Sequence, residues 1–342
     1  MLSSPFISKQ DSVARIMLTV MAALLPAIAL YVWYYGAAIL VSMTLASVTA
    51  LVVEAVMLKL RNRPLQPFLS DYSALLTAWL LALSITPLAP WWLIVVGTAF
   101  AVAVAKQLYG GIGNNPFNPA MVGYAVLIIS FPAQMTHWLP PSGLNPNALS
   151  FADQMAYVFG GQLPAGMTID GVTSATVLDT LKTQLHLDRA ISDIFKLPAY
   201  GQIAGAGSEL VATGLLLGGL FLLFRRIITW HIPVAFLGSL FVTSALFHLA
   251  DPSHYATPLF HLLAGASMLG AFFILTDPVT GPTTPKGKLI FAAGAGFLTY
   301  IIRVYGNFPD GVAFATLLLN ICVPLIDAYT QPKPFGHKGN KK

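Results

Sequence analysis

The stretch KQLYGGIGNNPFNPAMVGYA (residues 106–125) interrupts a chain that is otherwise built for lipid. An apolar segment precedes it, another begins at Pro119, and Gly, Asn and Pro lie between them. Irregular backbone at membrane depth persists only where protein or water satisfies its polar groups. The stretch therefore predicts either a tight helix–helix turn or the lining of a cofactor or ion path. A nucleotide-binding loop is excluded, because no strand precedes the glycines and no Lys-Ser/Thr pair follows them.

The amino-acid composition indicates the class of protein to which this stretch belongs. The 342 residues are 56% hydrophobic and only 9% charged, whereas a soluble domain carries about 25% charged residues. The chain is therefore predicted to be an all-α integral membrane protein. Its net charge of +5 then reflects loop charges and not a nucleic-acid-binding surface. A single cysteine, Cys322, excludes a disulfide framework and an iron–sulfur cluster held by this chain alone.

Apolar runs predict ten membrane spans, since a spanning helix needs about 20 apolar residues. A long polar segment separates the fifth span from the sixth. The chain thus divides into a first membrane half (1–132), a loop (133–205), a second membrane half (206–330) and a basic tail (331–342). The predicted spans are 15–35, 37–58, 72–88, 90–108, 119–132, 206–224, 230–250, 258–276, 288–303 and 310–328.

The distribution of basic residues predicts the orientation. Ten spans place both termini on one side, and cytoplasmic loops carry the excess of Lys and Arg. Four of the 18 basic residues, Lys182, Arg189, Lys196 and Arg303, fall on the side opposite the termini, and the others, Lys106 among them, fall with the termini. This asymmetry predicts cytoplasmic termini, with residues 133–205 on the outer side of the membrane.

The two membrane halves resemble each other weakly. ALLTAWLLALSITPLAP (74–90) is similar to LLAGASMLGAFFILTDPVTGP (262–282), and residues 106–125 are similar to RVYGNFPDGVAFA (303–315). With five spans in each half, a repeat must be inverted. The alternative is that any two apolar sequences resemble each other.

Three acidic residues near the spans have competing interpretations. Glu54 lies within the second predicted span, where a carboxylate suggests an ion-transfer role, but it also lies close enough to Lys59 and Arg61 to pair with them. Asp277 is either a loop or cap carboxylate or part of a functional break. Asp310 begins the last span, where a carboxylate also suits the helix dipole.

Histidine and aromatic residues give weaker signals. His248 and His261 flank one predicted loop, yet no haem signature accompanies them, and interfacial histidines are the favoured interpretation. The aromatic residues of 31–35 and 91–92 are typical of membrane-interface belts.

The loop segment GVTSATVLDTLKT (171–183) is unusually rich in hydroxyl groups. Taken alone, it predicts a surface turn followed by a helix, with Thr173 or Ser174 as the N-cap.

Five blocks in the same order carry a family resemblance over almost the whole chain. They are SALLTAWLLALSITPLAPWW (73–92), KQLYGGIGNNPFNPAMVGY (106–124), DGVTSATVLDTLKT (170–183), GASMLGAFFILTDPVTGPTTPKGKLIF (265–291) and YGNFPDGVAFATLLLNICVPLID (305–327). In these blocks the chain resembles the D subunit of the Rnf-type, or Rsx, ion-translocating oxidoreductases. This family is related to the B subunit of the sodium-pumping NADH:quinone reductase.

The resemblance implies a covalent flavin. In that family, a threonine of the outward loop carries FMN through a phosphoester. The corresponding residue here is Thr176, with Ser174 and Ala175 as its small motif neighbours. Val177 stands where the family often has proline, and Thr173, Thr180 and Thr183 are the alternative acceptors. Thr180 and Thr183 fall within the predicted helix and are expected to be less accessible. A second, non-covalent flavin is implied among the spans, with Asn114, Asn115 and Asn118 as candidate hydrogen-bonding residues.

The implied function is a subunit of the bacterial inner membrane that relays electrons through FMN, with residues 133–205 in the periplasm. In such complexes, electron transfer between NADH and ferredoxin is coupled to Na⁺ or H⁺ translocation. Expected partners are the other Rnf subunits, a flavin transferase and membrane lipid, and no metal or catalytic residue is expected in this subunit. The alternatives are an inverted-repeat channel or carrier for a small solute, related to urea-channel folds, and a scaffold that only anchors redox partners.

Overall fold

Helices make up almost all of the regular structure in the computed structural model, which describes residues 12–144 and 149–332. Within these ranges the β pairing is limited to two isolated bridges, which confirms the all-α prediction. All but the first two residues of the predicted tail 331–342 lie outside the described residues. The helices are α1 Val13–Tyr35, α2 Ala38–Leu60, α3 Leu65–Leu69, α4 Ser73–Ser84, α5 Trp91–Ala99, α6 Pro119–Ser130, α7 Pro132–Thr136, α8 Phe151–Gly160, α9 Ile169–Val172, α10 Val177–His186, α11 Ile191–Ile194, α12 Ser208–Phe224, α13 His231–Ala250, α14 Pro258–Leu263, α15 Ser267–Leu269, α16 Pro285–Tyr305 and α17 Val312–Thr330. Two π-helical segments extend α5 (Phe100–Gln107) and α15 (Gly270–Ile274).

Five helices of the described chain are long and apolar enough to cross a membrane: α1, α2, α13, α16 and α17. They match five of the predicted spans and establish a multi-pass membrane protein. The other five predicted ranges hold α4, α5 with its extension, α6, α12 and the interrupted α14–α15. These helices are shorter than 18 residues, so a total of ten spans remains a prediction.

Helices α1 and α12 pack along each other at very short range. Gly214 and Gly218, one turn apart on α12, face α1, and a Cβ at Gly214 would lie 2.8 Å from the Ala27 Cα. A Cβ at Gly218 would overlap the Ala23 carbonyl. Small residues spaced by four let membrane helices approach in this way, and the contact fixes the position of α1.

The remaining helices pack in corresponding pairs. In the first half α2 packs against α4 and α5, and in the second half α13 packs against α14 and α16. Helices α6 and α17 contact each other. At the N-terminal end of α6, the Asn118 amide donates to Oδ1 of Asn320 in the middle of α17 (3.1 Å), and Asn118 Nδ2 donates to the Ile274 carbonyl at the end of the α15 extension (3.2 Å).

The eighth predicted span is broken between α14 and α15, at residues 264–266. Gly265 has φ of +62° and leaves no room for a side chain beside Asp310, so glycine is required there. The backbone groups freed by the break are satisfied by the side chains of Ser267, Arg303 and Asp310. Ser267 Oγ donates to the carbonyls of His261 (2.7 Å) and Ala264 (3.3 Å). Arg303 donates to the carbonyls of His261 (2.7 Å) and Ala264 (3.1 Å), and the Ala266 amide donates to Asp310 Oδ2 (2.6 Å). Such compensation is what allows a broken helix among membrane spans.

The segment between the two halves folds onto this break. Buried apolar residues of α10 and α11 pack with Tyr200 and with Phe260 of α14. This second, small core attaches the segment to the membrane helices, so that α10 lies directly over the broken span.

Candidate functional site

Thr176 is the N-cap residue of α10. Its backbone is extended (φ −64°, ψ 158°), and its Oγ1 accepts a hydrogen bond from the Asp179 amide at 3.2 Å. The side chain is half-buried. A hydroxyl at this position faces the amide groups and the positive end of the helix dipole, which favour a negatively charged substituent.

The N-cap prediction was wrong by two or three residues. Ser174 is held in an antiparallel bridge, where its amide donates to the Trp138 carbonyl at 2.8 Å, so the chain is extended there. The Thr173 hydroxyl donates to the Ile169 carbonyl at 2.8 Å, at the end of the preceding short helix α9. The helix of the motif can therefore begin only after Ala175.

A cavity of about 360 Å³ opens beside the motif. Ser174, Ala175 and Thr176 line one side of it, and Tyr31, Tyr124 and Trp138 line the others. It extends down to Met121 of α6 and Val312 of α17, so it reaches from the loop into the junction between the membrane halves. Its volume and its mostly apolar lining are those of a small-molecule site.

The deep wall contains an unsatisfied polar atom. Tyr31 is 6% exposed, and its hydroxyl has no hydrogen-bond partner among the described residues. Its ring lies 4.9 Å from that of Tyr35, one turn further along α1, and both residues line the cavity. The prediction of an interface belt was wrong for Tyr31, because the α1 face that carries it packs against protein.

The part of the cavity lining next to the broken span, at Asp310, carries a paired charge, and this part is called the floor below. Asp310 lines the cavity and forms an ion pair with Arg303, whose Nε lies 2.8 Å from Asp310 Oδ1. The same carboxylate accepts from the Gly311 amide at 2.6 Å, as the helix-dipole interpretation of Asp310 expects. Arg303 is 4% exposed, so its assignment as a loop charge was wrong.

Lys182 ties the motif helix to the same floor. Its Nζ donates to the carbonyls of Gly306 (2.7 Å) and Phe308 (3.0 Å), just before Asp310. Burial lowers the pKa of this ammonium, and the nearby Asp179 and Asp310 carboxylates act in the opposite direction. On the other side of the motif, the Tyr200 hydroxyl donates to the Val177 carbonyl at 3.1 Å. These bonds fix the start of α10 beside the cavity.

The three asparagines chosen from the sequence lie elsewhere. Among the residues that the structure describes, the lining of this cavity includes none of Asn114, Asn115 and Asn118. Asn118 caps α6, and its Oδ1 accepts from the Met121 amide at 3.3 Å. Asn115 donates to the Phe117 carbonyl at 3.2 Å, while Asn114 is exposed. A flavin-binding role for them remains a prediction, and the structure gives Asn118 a structural task.

Glu54 pairs with a residue that its sequence neighbourhood did not suggest. Lys106 Nζ lies 2.5 Å from Glu54 Oε1 and 2.8 Å from Ser73 Oγ, and Gln107 Nε2 donates to Glu54 at 2.8 Å. Lys106 is 2% exposed, so its assignment as a loop charge was wrong. Lys106 and Arg303 were counted on opposite sides of the membrane. Leaving both out of the count keeps the excess of basic residues on the side of the termini, and the orientation stays a prediction.

The alternative threonines for flavin attachment do not lie at the cavity beside Thr176. Thr180 and Thr183 lie within α10, as predicted, but Thr183 is exposed, so the expectation that it is less accessible was wrong. Neither residue lines the cavity described above. Of the four threonines considered, Thr176 alone belongs to that lining.

Sequence reasoning missed Tyr31, Tyr124 and Trp138 as cavity residues. A signal was present for Tyr31, since Ala27, Tyr31 and Tyr35 recur every four residues and so share one face of α1. No comparable signal marks Tyr124 or Trp138, which come to the cavity through tertiary contacts.

The described chain is thus a helical membrane protein with an aromatic cavity that joins a folded loop to the junction of its membrane halves. Comparison with known proteins gives the family. Residues 1–336 match the model of the NQR2, RnfD, RnfE family, and the chain belongs to this family. It is 53% identical to the D subunit of the ion-translocating oxidoreductase complex of Escherichia fergusonii, over 98% of each chain. It is 52% identical to the proteins of the same name from Salmonella paratyphi B and Salmonella typhimurium, again over 98% of each.

Proposed function

We propose that the chain is the D-type membrane subunit of an Rnf electron-transport complex and carries FMN in a phosphoester bond to Thr176. Relatives more than half identical over nearly the full length are named as the D subunit of an ion-translocating oxidoreductase complex. The observation that supports the cofactor is the position of Thr176, whose side chain belongs to the lining of an aromatic cavity at the start of α10.

The residues of the cavity fit a flavin mononucleotide. Its rim offers the phosphate the Thr176 hydroxyl and the positive end of the α10 dipole. Its walls offer the planar ring the aromatic side chains of Tyr35, Tyr124 and Trp138. The buried hydroxyl of Tyr31, which has no partner among the described residues, offers the polar edge of that ring a hydrogen bond. A site with apolar walls and a few placed polar groups is typical of cofactor binding.

Attachment requires only the threonine oxygen from this chain. Oγ1 bonds to the FMN phosphorus of a phosphoanhydride donor that a separate flavin transferase supplies. The P–O bond to the donor's second phosphate breaks, that phosphate departs as the leaving group, and the hydroxyl proton passes to a base of the transferase or to water. The small neighbours Ser174 and Ala175 leave Oγ1 open to that enzyme. The chain gains the mass of FMN less water.

When bound, the flavin supplies one- and two-electron transfer, while the protein binds, orients and electrically tunes it. Lys182, Tyr200 and the Ser174–Trp138 pairing hold the attachment point beside the cavity. The apolar walls exclude water from the ring. The Arg303–Asp310 pair places fixed charges at the floor, where the broken span meets α17.

We also propose that the membrane part has ten spans in two inverted halves, with cytoplasmic termini in a bacterial inner membrane. Under this repeat α1 corresponds to α12, α2 to α13, α5 to α16 and α6 to α17. Helix α2 packs against α5 as α13 packs against α16. Helices α1 and α6 each contact their own counterpart, as is expected of helices that lie beside a pseudo-two-fold axis in the membrane plane. The other Rnf subunits, and coupling to Na⁺ or H⁺ movement, belong to the same proposal.

The attachment is tested by co-expressing the chain with a flavin transferase and illuminating a denaturing gel with ultraviolet light. Wild-type chain is expected to give a fluorescent band, and Thr176→Ala is expected to abolish it. Thr173→Ala and Thr183→Ala, which make the same change within the same segment, are expected to retain it. A dark wild-type band, or a Thr176→Ala band as bright as wild type, would contradict the proposal and favour a channel or a scaffold.

A further inference from the structure

We propose that the Tyr31 hydroxyl donates a hydrogen bond to the flavin ring and sets its reduction potential. The inference rests on the proposed attachment at Thr176 and adds a positioning residue that the loop motif does not contain. Tyr31 lies on α1, far in sequence from Thr176, and the two side chains share one cavity.

The first argument is the missing partner. A buried hydroxyl left unpaired costs about 1–3 kcal/mol, and most buried polar atoms in native proteins have a partner. The Tyr31 side chain is more than nine-tenths buried and has no partner among the described residues. Because Tyr31 belongs to the lining of the cavity, a ligand bound in the cavity is the acceptor that the described structure leaves available.

The second argument is rigidity. Tyr31 follows Ala23 and Ala27 at intervals of four on α1, the two residues that Gly214 and Gly218 meet at close range. Nothing larger than glycine fits at those two positions, so α1 cannot shift away from the cavity without losing this contact. The contact of Tyr31 with the Tyr35 ring, at 4.9 Å, holds it from the other side.

The third argument is chemical complementarity. A phenol with an ordinary pKa of about 10 is protonated at neutral pH and can donate. The isoalloxazine carries carbonyl oxygens and ring nitrogens along one edge, which accept hydrogen bonds. Reduction adds electron density to this edge, so a donor there binds the reduced ring more strongly than the oxidised ring. Tyr31 is therefore expected to make the flavin easier to reduce.

The test compares Tyr31→Phe with Tyr300→Phe in the full chain, flavinylated and purified in detergent. Tyr300 is a matched control, because it is fully buried, its hydroxyl also lacks a partner among the described residues, and it does not line the cavity. Each variant keeps its ring and loses one oxygen. The readouts are flavin content on a denaturing gel, the visible absorption bands, and the midpoint potential from a redox titration.

All three proteins are expected to carry the same covalent flavin. Tyr31→Phe is expected to shift the absorption bands and move the potential to a more negative value, while Tyr300→Phe matches wild type. An unchanged spectrum and potential in Tyr31→Phe, or equal shifts in both variants, would overturn the hydrogen bond while leaving the attachment intact. A wild-type chain without flavin would overturn the attachment itself, so the two failures are distinguishable.

Discussion

Two regions of the molecule look alike in sequence and differ in structure. The first is the Gly/Asn-rich stretch at residues 106–120, and the second is the related stretch at 303–312. Each begins with a buried cation, Lys106 or Arg303, and each ends at the start of a membrane helix. Only the second lines the cavity beside Thr176 through one of its own charged side chains, that of Asp310.

The difference lies in where the polar groups point. In the first region they bond to protein: Lys106 and Gln107 to Glu54, Asn115 to its own loop and Asn118 to Ile274. In the second region Asp310 also bonds to protein, through Arg303 and the Ala266 amide, but it lines the cavity as well, and Lys182 of the loop bonds to the backbone just before it. The polar groups of the first interruption are thus taken up by contacts with protein. The second interruption also contributes a charged side chain to the lining of the cavity.

The largest effect is expected from removing the cation of the second region. Arg303→Met leaves Asp310 without its counter-ion and leaves the carbonyls of His261 and Ala264 with Ser267 Oγ as their one remaining side-chain donor among the described residues. Breaking a buried ion pair costs about 3–5 kcal/mol. Thermal unfolding in detergent should show a large loss of stability. An Arg303→Met variant with wild-type stability would mean that the broken span does not depend on this pair.

An intermediate effect is expected from the first region. Asn118→Ala removes the cap of α6 and the bond to the Ile274 carbonyl, at a cost of about 1–3 kcal/mol. Asn114→Ala makes the same change at an exposed position and should leave stability unaltered. Neither variant should change the flavin spectrum. A spectral change in either would place a flavin against these residues and erase the contrast between the two regions.

The smallest effect on stability is expected from removing the hydrogen bonds that join Lys182 of the loop to the cavity floor. Lys182→Met removes two hydrogen bonds from a half-buried ammonium, worth about 1 kcal/mol, and should speed proteolysis within residues 149–205. Lys196 is a control of the same type, because its ammonium pairs only with Asp193 on the surface, where the lysine side chain is 73% exposed. Lys196→Met should be cleaved at the wild-type rate. Equal cleavage of both variants would show that Lys182 does not anchor α10.

The sequence predicted the features that depend on local pattern. Apolar runs located helices at all ten predicted ranges, and the motif located the start of α10 within a few residues. It did not predict the pairing of Glu54 with Lys106 or of Arg303 with the broken span. These contacts join different helices, and a charge near the end of an apolar run looks the same whether it meets water or a partner.

The cavity could not be predicted for a related reason. Aromatic residues in a membrane helix look the same in sequence whether they face lipid, protein or a cavity, so Tyr31 was assigned to an interface belt. The glycines of α12 that turn this face of α1 inward lie almost 200 residues away. Family resemblance supplied Thr176, but only the packing of α1, α6 and α10 places aromatic walls beside it.

Mass spectrometry of the native chain tests the central claim most directly. The protein is purified from its membrane complex, its intact mass is measured, and the peptide that contains residues 171–183 is sequenced. The account predicts an excess of one FMN less water, carried on Thr176. An unmodified Thr176 in the fully assembled complex would contradict it.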